Sequence, residues 1–316
     1  LGDVYKRQLV NYAPLAESNM TKYLTQWTMD DVESVGLLKI DFLGIRYLTM
    51  VSSIVEEIRK ENPAFDITKI NYQDPKVYEL FAKGKTEGIF QFESSGMKEK
   101  LNLLKPTEFN DIVAMNALYR PGPMAQIEVY VRRKNKEEQV VYPHPHLEKI
   151  LKDTYGVIVY QEQIMLIAVN FAHMSLNEAD NMRRAVSKKK KEDLEYYGRI
   201  FIEKSVAAGY DIKVAEKLFD LIVTFANYGF NKSHAVVYSM LAYRLAYLKV
   251  YYTKYFMTAL LNNVISSEKK INEYKQELMN LGINLVKPDV NRSLANFRVF
   301  KNDIVFALTA IKNVGY

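Results

Sequence analysis

The chain of 316 residues contains no cysteine, a single tryptophan and only four histidines. Without cysteine there are no disulfides, no thiolate zinc sites and no thiol nucleophile. His144, His146, His173 and His234 are too scattered to suggest a metal cluster among themselves. No stretch reaches the ~18 uncharged apolar residues of a membrane-spanning helix. The nearest, residues 235–261, is interrupted by Arg244, Lys249 and Lys254 and crowded with tyrosine, which reads as one long helix packed in a protein core. No apolar signal segment precedes the first patterned residues, so a cytoplasmic setting without membrane attachment is the default. There is no internal repeat, no low-complexity tract and no Asp-x-Asp pair anywhere in the sequence.

What is present is ordinary for a folded protein: 48% hydrophobic and 25% charged residues, in a length that accommodates about two domains. A net charge of +6 permits a polyanionic partner without demanding one. Position 1 is Leu and residues 310–316 run on without a stopping signal, so the chain reads as cut at both ends. Residues 1–8 lack periodicity and read as a non-native scar.

Residues 36–44, Gly-Leu-Leu-Lys-Ile-Asp-Phe-Leu-Gly, form an apolar run bounded by glycines, which predicts a buried strand. Its period of two places Leu38, Ile40 and Phe42 on one face and Lys39 with Asp41 on the other. Ile45, Leu48, Val51, Val55 and Ile58 then recur at helical spacing until Asn62-Pro63 stops them. From Tyr72 onward the pattern is mostly helical, clearest over 160–172 and 214–225. Phe297 to Phe300 and Ile304 to Leu308 flank a polar turn and predict a hairpin.

Four constellations could carry chemistry. Asp41, a carboxylate at a strand's polar edge, could hold a divalent cation, with Lys39 facing phosphate; a solvated or salt-bridged acid is the commoner reading. Six of the nine residues from Arg183 to Lys191 are basic, and a continuous helix would put Arg183, Ser187 and Lys191 on one face and Arg184 and Lys188 on the next. Such a surface, with Lys189 and Lys190 alongside, suits a triphosphate or a strand backbone, or is a solvated helix end. The segment Asn227-Tyr228-Gly229-Phe230-Asn231-Lys232-Ser233-His234 offers an aromatic ring for a base and a dense set of polar groups for phosphate or sugar. The plainer reading makes Ser233 a helix N-cap, with Asn231 bonding in the turn. Arg120 stands against the rigid Pro121-Gly122-Pro123 corner, which is architectural on its own terms.

Taken in order, residues 38–44, 88–97, 118–124, 155–163, 182–190 and 228–234 resemble the blocks of the bacterial C-family DNA polymerase III alpha subunits, over nearly the whole chain. Residues 42–46 are more similar to the form without a built-in proofreading exonuclease. The resemblance implies a mainly α chain with a small α/β portion. Residues 9–62 would be the remnant of a polymerase-beta-like palm, 63–265 a helical fingers domain, and 266–316 the start of a C-terminal region with a short β hairpin. It implies primer extension by phosphoryl transfer with two Mg2+ ions, deoxynucleoside triphosphates and primed template DNA as substrates, and a sliding clamp and other replicase subunits as partners through parts not in this sequence. Asp41 matches a catalytic carboxylate and metal ligand. Lys39, Arg120, Arg183, Arg184, Tyr228, Lys232 and His234 match the nucleotide side, and Lys188, Lys189, Lys190, Asn231 and Ser233 are assigned to DNA or phosphate. The family's other two carboxylates sit in an Asp-x-Asp element that this sequence lacks, so the chain is expected to hold nucleotide without performing the chemistry. The rival readings are a sequence-independent nucleic-acid binding module without catalysis and a helical interaction protein that docks through its tyrosine-rich helix.

Overall fold

The computed structural model describes residues 8–17, 23–40, 44–188, 191–226 and 228–315. Two compact units divide between Ile45 and Arg46.

The first unit is small. Strands β1 (Leu15–Ala16) and β2 (Leu24–Thr25) pair antiparallel, with Leu15 opposite Thr25. Helix α1 (Met29–Ser34) follows, opened by Thr28, whose hydroxyl accepts from the Asp31 N–H. Among this unit's described residues only Ala13 is buried. The strand expected over residues 36–44 is not found at residues 37–40. They carry no strand structure, and Leu38 and Ile40 stand 80% and 62% exposed. A strand is stable only when a neighbour takes its backbone N–H and C=O groups, and among the described residues none pairs with this segment. Asp41, with Phe42 and Leu43, lies outside the described residues.

The second unit is helical. Helix α2 (Arg46–Glu61) buries Met50, Val51, Ile54, Val55 and Ile58, a stripe at three- and four-residue spacing, and ends just before Asn62-Pro63. Helices α3 (Pro75–Ala82), α4 (Ser95–Leu104), α5 (Phe109–Leu118) and α6 (Ala125–Lys134) follow. Asp74 caps α3 ahead of Pro75, and Ser94 caps α4 by accepting from the Met97 N–H. After the short α7 (Glu148–Leu151) come α8 (Gln161–Phe171), α9 (Leu176–Lys188), α10 (Lys191–Ala207) and α11 (Ile212–Ala226). These four pack around Ile164, Ile167, Phe171, Met182, Phe201, Leu218 and Ile222, all fully or nearly fully buried.

The single long helix expected over 235–261 is two helices, α12 (Lys232–Tyr251) and α13 (Thr253–Asn263), because Tyr252 leaves helical geometry at φ −132° and ψ 43°. Both are core helices, as the tyrosine-rich pattern implied. Helix α12 packs against α2, α3, α5 and α13, and its Tyr243 hydroxyl donates to the Asn71 carbonyl at 2.9 Å. No helix among the described residues is long and apolar enough to cross a membrane.

Helix α14 (Glu268–Asn280), capped by Ser267, leads into a three-stranded sheet. Strands β4 (Arg298–Phe300) and β5 (Asp303–Val305) form the expected hairpin, with Lys301 in the turn at φ +57°. Strand β3 (Leu285–Val286), too short to show a pattern, adds parallel to β5 with Leu285 opposite Ile304. The fold is mainly α, as expected, with two small sheets among the described residues.

Candidate nucleotide site

The N-termini of α8 and α12 lie side by side. Backbone pairing holds them there: the Phe230 N–H donates to the Val159 carbonyl at 3.0 Å, and the Gln161 N–H donates to the Phe230 carbonyl at 3.0 Å. Two helix N-termini bring their positive dipole ends to one place, which favours negative charge nearby, although several first-turn N–H groups are already taken within the protein, Gln161 by the Phe230 carbonyl and His234 by Asn231. The Glu162 carboxylate already answers part of this by accepting from the Lys232 N–H at 2.9 and 3.0 Å.

Asn231, rather than Ser233, is the cap of α12: its side chain accepts from the His234 N–H at 2.8 Å. Ser233 sits exposed in the first turn. The sequence allowed either residue because both cap well, and the chain enters the helix two residues earlier than the serine reading required.

Arg120 is held at the front of this junction. Its Nη2 donates to the Tyr228 carbonyl at 2.8 Å and its Nε to the Ala117 carbonyl at 2.9 Å, while its guanidinium lies 4.3 Å from the centre of the Phe230 ring. The Pro121-Gly122-Pro123 corner is therefore more than architecture. Gly122 has φ +105°, and a Cβ there would fall 2.3 Å from Cε1 of Tyr228, so the tyrosine ring lies directly on the glycine. Tyr228 remains 39% exposed, a flat face available for stacking. Behind it the rings continue: His234 is T-shaped to Phe230 at 5.3 Å and stacked on Tyr238 at 4.1 Å, Tyr238 meets Phe90, and Phe90 meets Tyr47. The Lys232 ammonium stands 5.3 Å from the centre of the Tyr160 ring.

Gln161 ties α9 to this junction. Its Oε1 accepts from Arg183 Nη1 at 3.1 Å. Arg183 and Arg184 share one carboxylate, Asp180, through Arg183 Nη2 at 2.7 Å and Arg184 Nε at 2.8 Å. The continuous basic helix expected through Lys191 crosses residues outside those described: α9 is described to Lys188 and α10 from Lys191. Lys189 and Lys190 lie outside the described residues, as does the Lys188 side chain.

The start of α9 is fixed by a reciprocal cap. Glu178 accepts from the Ser175 N–H at 2.7 Å and hydroxyl at 2.8 Å, and from Lys204 at 2.7 Å. Lys204 and Ser175 hold the Glu178 carboxyl at about 2, from an ordinary 4.5. Since the folded value is the lower one, this cap contributes fully above pH 4.5 and is lost as the pH falls from there to about 2. The thermal midpoint is accordingly expected to drop across that window, and Glu178→Gln to flatten the drop; an unchanged acid profile in the variant would count against the cap.

Some contributors carried no individual signal in the sequence. Buried Gln163 takes the Val159 and Tyr160 N–H groups on Oε1 and donates from Nε2 to the Ile150 carbonyl and the Thr154 hydroxyl, so every hydrogen bond it can make from Nε2 is used to hold the segment before α8. A glutamine within an apolar helical stripe was the available clue. Asp180 and Glu162 looked like ordinary surface acids.

Arg120, Arg183, Tyr228, Lys232 and His234 are thus gathered around one junction, with Arg184 joined through Asp180. Lys39, exposed, belongs to the first unit, and Asp41 is not among the described residues. No three His, Asp or Glu side chains come together as a metal-binding group among the described residues.

The sequence of this helical unit matches a family of polymerase domains. Residues 47–209 match the bacterial DNA polymerase III alpha subunit finger domain, and residues 4–44 match the bacterial DNA polymerase III alpha NTPase domain. The chain belongs to the bacterial DNA polymerase III alpha subunit family. It is 51% identical over 308 residues to the DNA polymerase III subunit alpha of Bacillus subtilis (strain 168), covering 97% of this chain and 28% of that protein. It is 48% identical over 309 residues to that of Staphylococcus aureus (strain COL), covering 98% of this chain and 29% of that protein. The chain thus spans less than a third of the length of these relatives.

Proposed function

We propose that this chain is the nucleotide-gripping part of a replicative DNA-directed DNA polymerase. The observation that carries the reading is the junction itself: Arg120, Arg183, Tyr228, Lys232 and His234 arrive from three separate stretches of sequence around two helix N-termini. Planar guanidinium groups suit the triphosphate of a deoxynucleoside triphosphate, and the exposed Tyr228 face suits its base. Lys39, in the first unit, is read as a phosphate-facing lysine from its sequence match, and Lys188, Lys189, Lys190, Asn231 and Ser233 as contacts to phosphate or primed template DNA. A sliding clamp and other replicase subunits are engaged by parts of the polymerase outside this chain, in the cytoplasm.

Asp41 supplies a hard oxygen donor of the kind Mg2+ requires, and no second carboxylate accompanies it within residues 36–44. Asp41 would be one of the residues holding Mg2+, which when bound would supply activation of the primer hydroxyl and neutralisation of the leaving pyrophosphate. This chain alone holds one of three ligands, and by itself adds no nucleotide.

In the whole polymerase, Arg183→Ala and Arg184→Ala are expected to raise the KM for nucleotide roughly 10-fold each with little change in kcat, because they bind charge that is present in both ground and transition states. Steady-state primer extension at varied nucleotide concentration checks this. An unchanged nucleotide dependence, or a loss confined to kcat, would refute the assignment.

A further inference from the structure

Asp180 sits between the two arginines. Its Oδ1 accepts from Arg183 Nε at 2.9 Å and Nη2 at 2.7 Å, and its Oδ2 lies 2.8 Å from Arg184 Nε. The Nε/Nη2 edge of a guanidinium is the one that grips a carboxylate or a phosphate in parallel. On Arg183 that edge is taken by Asp180, and Nη1 is engaged by Gln161. The grouping is nonetheless open to an arriving anion, since the Asp180 and Arg184 side chains are 27% and 66% exposed. The hydrogen bond from Arg183, with the charges of Arg183 and Arg184, holds the Asp180 carboxyl below its ordinary range, so it is ionised at neutral pH.

We propose that Asp180 is a placeholder anion: it occupies the guanidinium edges that a polyphosphate takes, holds both arginines to one carboxylate of α9 beforehand, and yields them when the ligand arrives. The proposal rests on the reading of Arg183 and Arg184 as triphosphate ligands. Its physical consequence is an affinity lower than two unencumbered arginines would give. A monoanion replaces Asp180 with a charge of equal size and gains little, whereas a polyphosphate brings several charges to the same edges and still gains. The carboxylate thereby favours polyphosphates over single-charge anions.

The test is titration of inorganic tripolyphosphate into the 316-residue chain by calorimetry, comparing wild type, Asp180→Asn and Arg184→Ala, with thermal unfolding confirming that each is folded. Asparagine keeps the size and an acceptor oxygen but not the charge. Asp180→Asn is expected to bind roughly two- to five-fold more tightly at low salt, the weight of a partly exposed ion pair, with the gain shrinking as salt rises. A merely structural prop would move affinity the other way, so equal or weaker binding by folded Asp180→Asn, with Arg184→Ala weakened, overturns the placeholder alone. Binding that Arg184→Ala leaves untouched, or no binding by any form, overturns the triphosphate reading and the placeholder with it. A second readout needs no variant at Asp180: the Arg183 Nε–H resonance, assigned with Arg183→Lys, should shift as tripolyphosphate saturates the wild-type chain. An unmoved resonance at saturation overturns the exchange.

Discussion

Placed in a whole polymerase of this family, Asp41→Ala is expected to abolish primer extension while leaving binding to primed DNA largely intact. The argument is one of charge. In phosphoryl transfer the protein's main contributions are positioning and electrostatic stabilisation, and a lost metal ligand damages both at the reacting centre. Removing one preorganised stabilising group from such a centre costs about 10²–10³-fold in rate. Loss of a carboxylate ligand should exceed that, so extension is expected to fall by roughly 10³-fold or more. DNA affinity, by contrast, is dominated by many phosphate contacts spread over the surface, and one acid contributes little to it. Asp41→Asn keeps the shape without the charge and should be nearly as damaging, which separates charge from packing. Single-turnover extension and fluorescence anisotropy on primed DNA read the two quantities independently. Substantial synthesis by Asp41→Ala would remove Asp41 from the metal-binding role. Loss of DNA binding in parallel would mean that the residue supports the surface rather than the chemistry.

Much of the helical unit was legible in the residues. The stripe Val51, Val55, Ile58 gave α2 and its stop at Asn62-Pro63, and the stripes over 160–172 and 214–225 gave α8 and α11 to within a few residues. These are cases in which one face meets a core and local spacing carries the whole instruction. Legibility failed where a remote partner decides. The apolar run at 36–44 has the composition of a strand, but a strand needs another strand's backbone, and none pairs with residues 37–40 among the described residues. The break at Tyr252 has no glycine or proline to announce it; α13 leaves α12 there to pack against α2 and the β4 strand. The site divides the same way. Arg120, Tyr228, Lys232 and His234 stood out by residue type and by resemblance, yet the reason they meet is the pairing of Phe230 with Val159 and Gln161 across some seventy residues of sequence. Asp180 carries no signal of its own, because an acid three residues before an arginine is common on any helix surface. In the fold it serves two arginines at once.

Lys249→Ala is expected to be among the most destabilising single substitutions in the helical unit. The side chain is 2% exposed, and its ammonium uses all three donors: the Lys85 carbonyl at 3.0 Å, the Glu87 carbonyl at 3.1 Å and Glu277 Oε1 at 2.8 Å. One cation on α12 thus fastens the loop that precedes Gly88 and, through Glu277, helix α14. Burial pulls the Lys249 pKa down from its ordinary value, opposed by the Glu277 and Glu87 carboxylates, so the charge is held by partners at a cost in hydration. Deleting it leaves two carbonyls unanswered and Glu277, only 14% exposed, without its cation. Breaking a buried pair from one side costs about 3–5 kcal/mol, a large part of the stability of an ordinary domain. Urea denaturation of the chain should show the midpoint falling with little change in slope. Lys249→Met restores the volume but not the donors, and should remain destabilised until Glu277→Gln removes the stranded charge. The double variant is therefore expected to be more stable than Lys249→Met alone, a non-additivity that only a direct pairing produces. Additive losses would mean that the lysine holds the loop carbonyls alone, with Glu277 incidental to its anchorage.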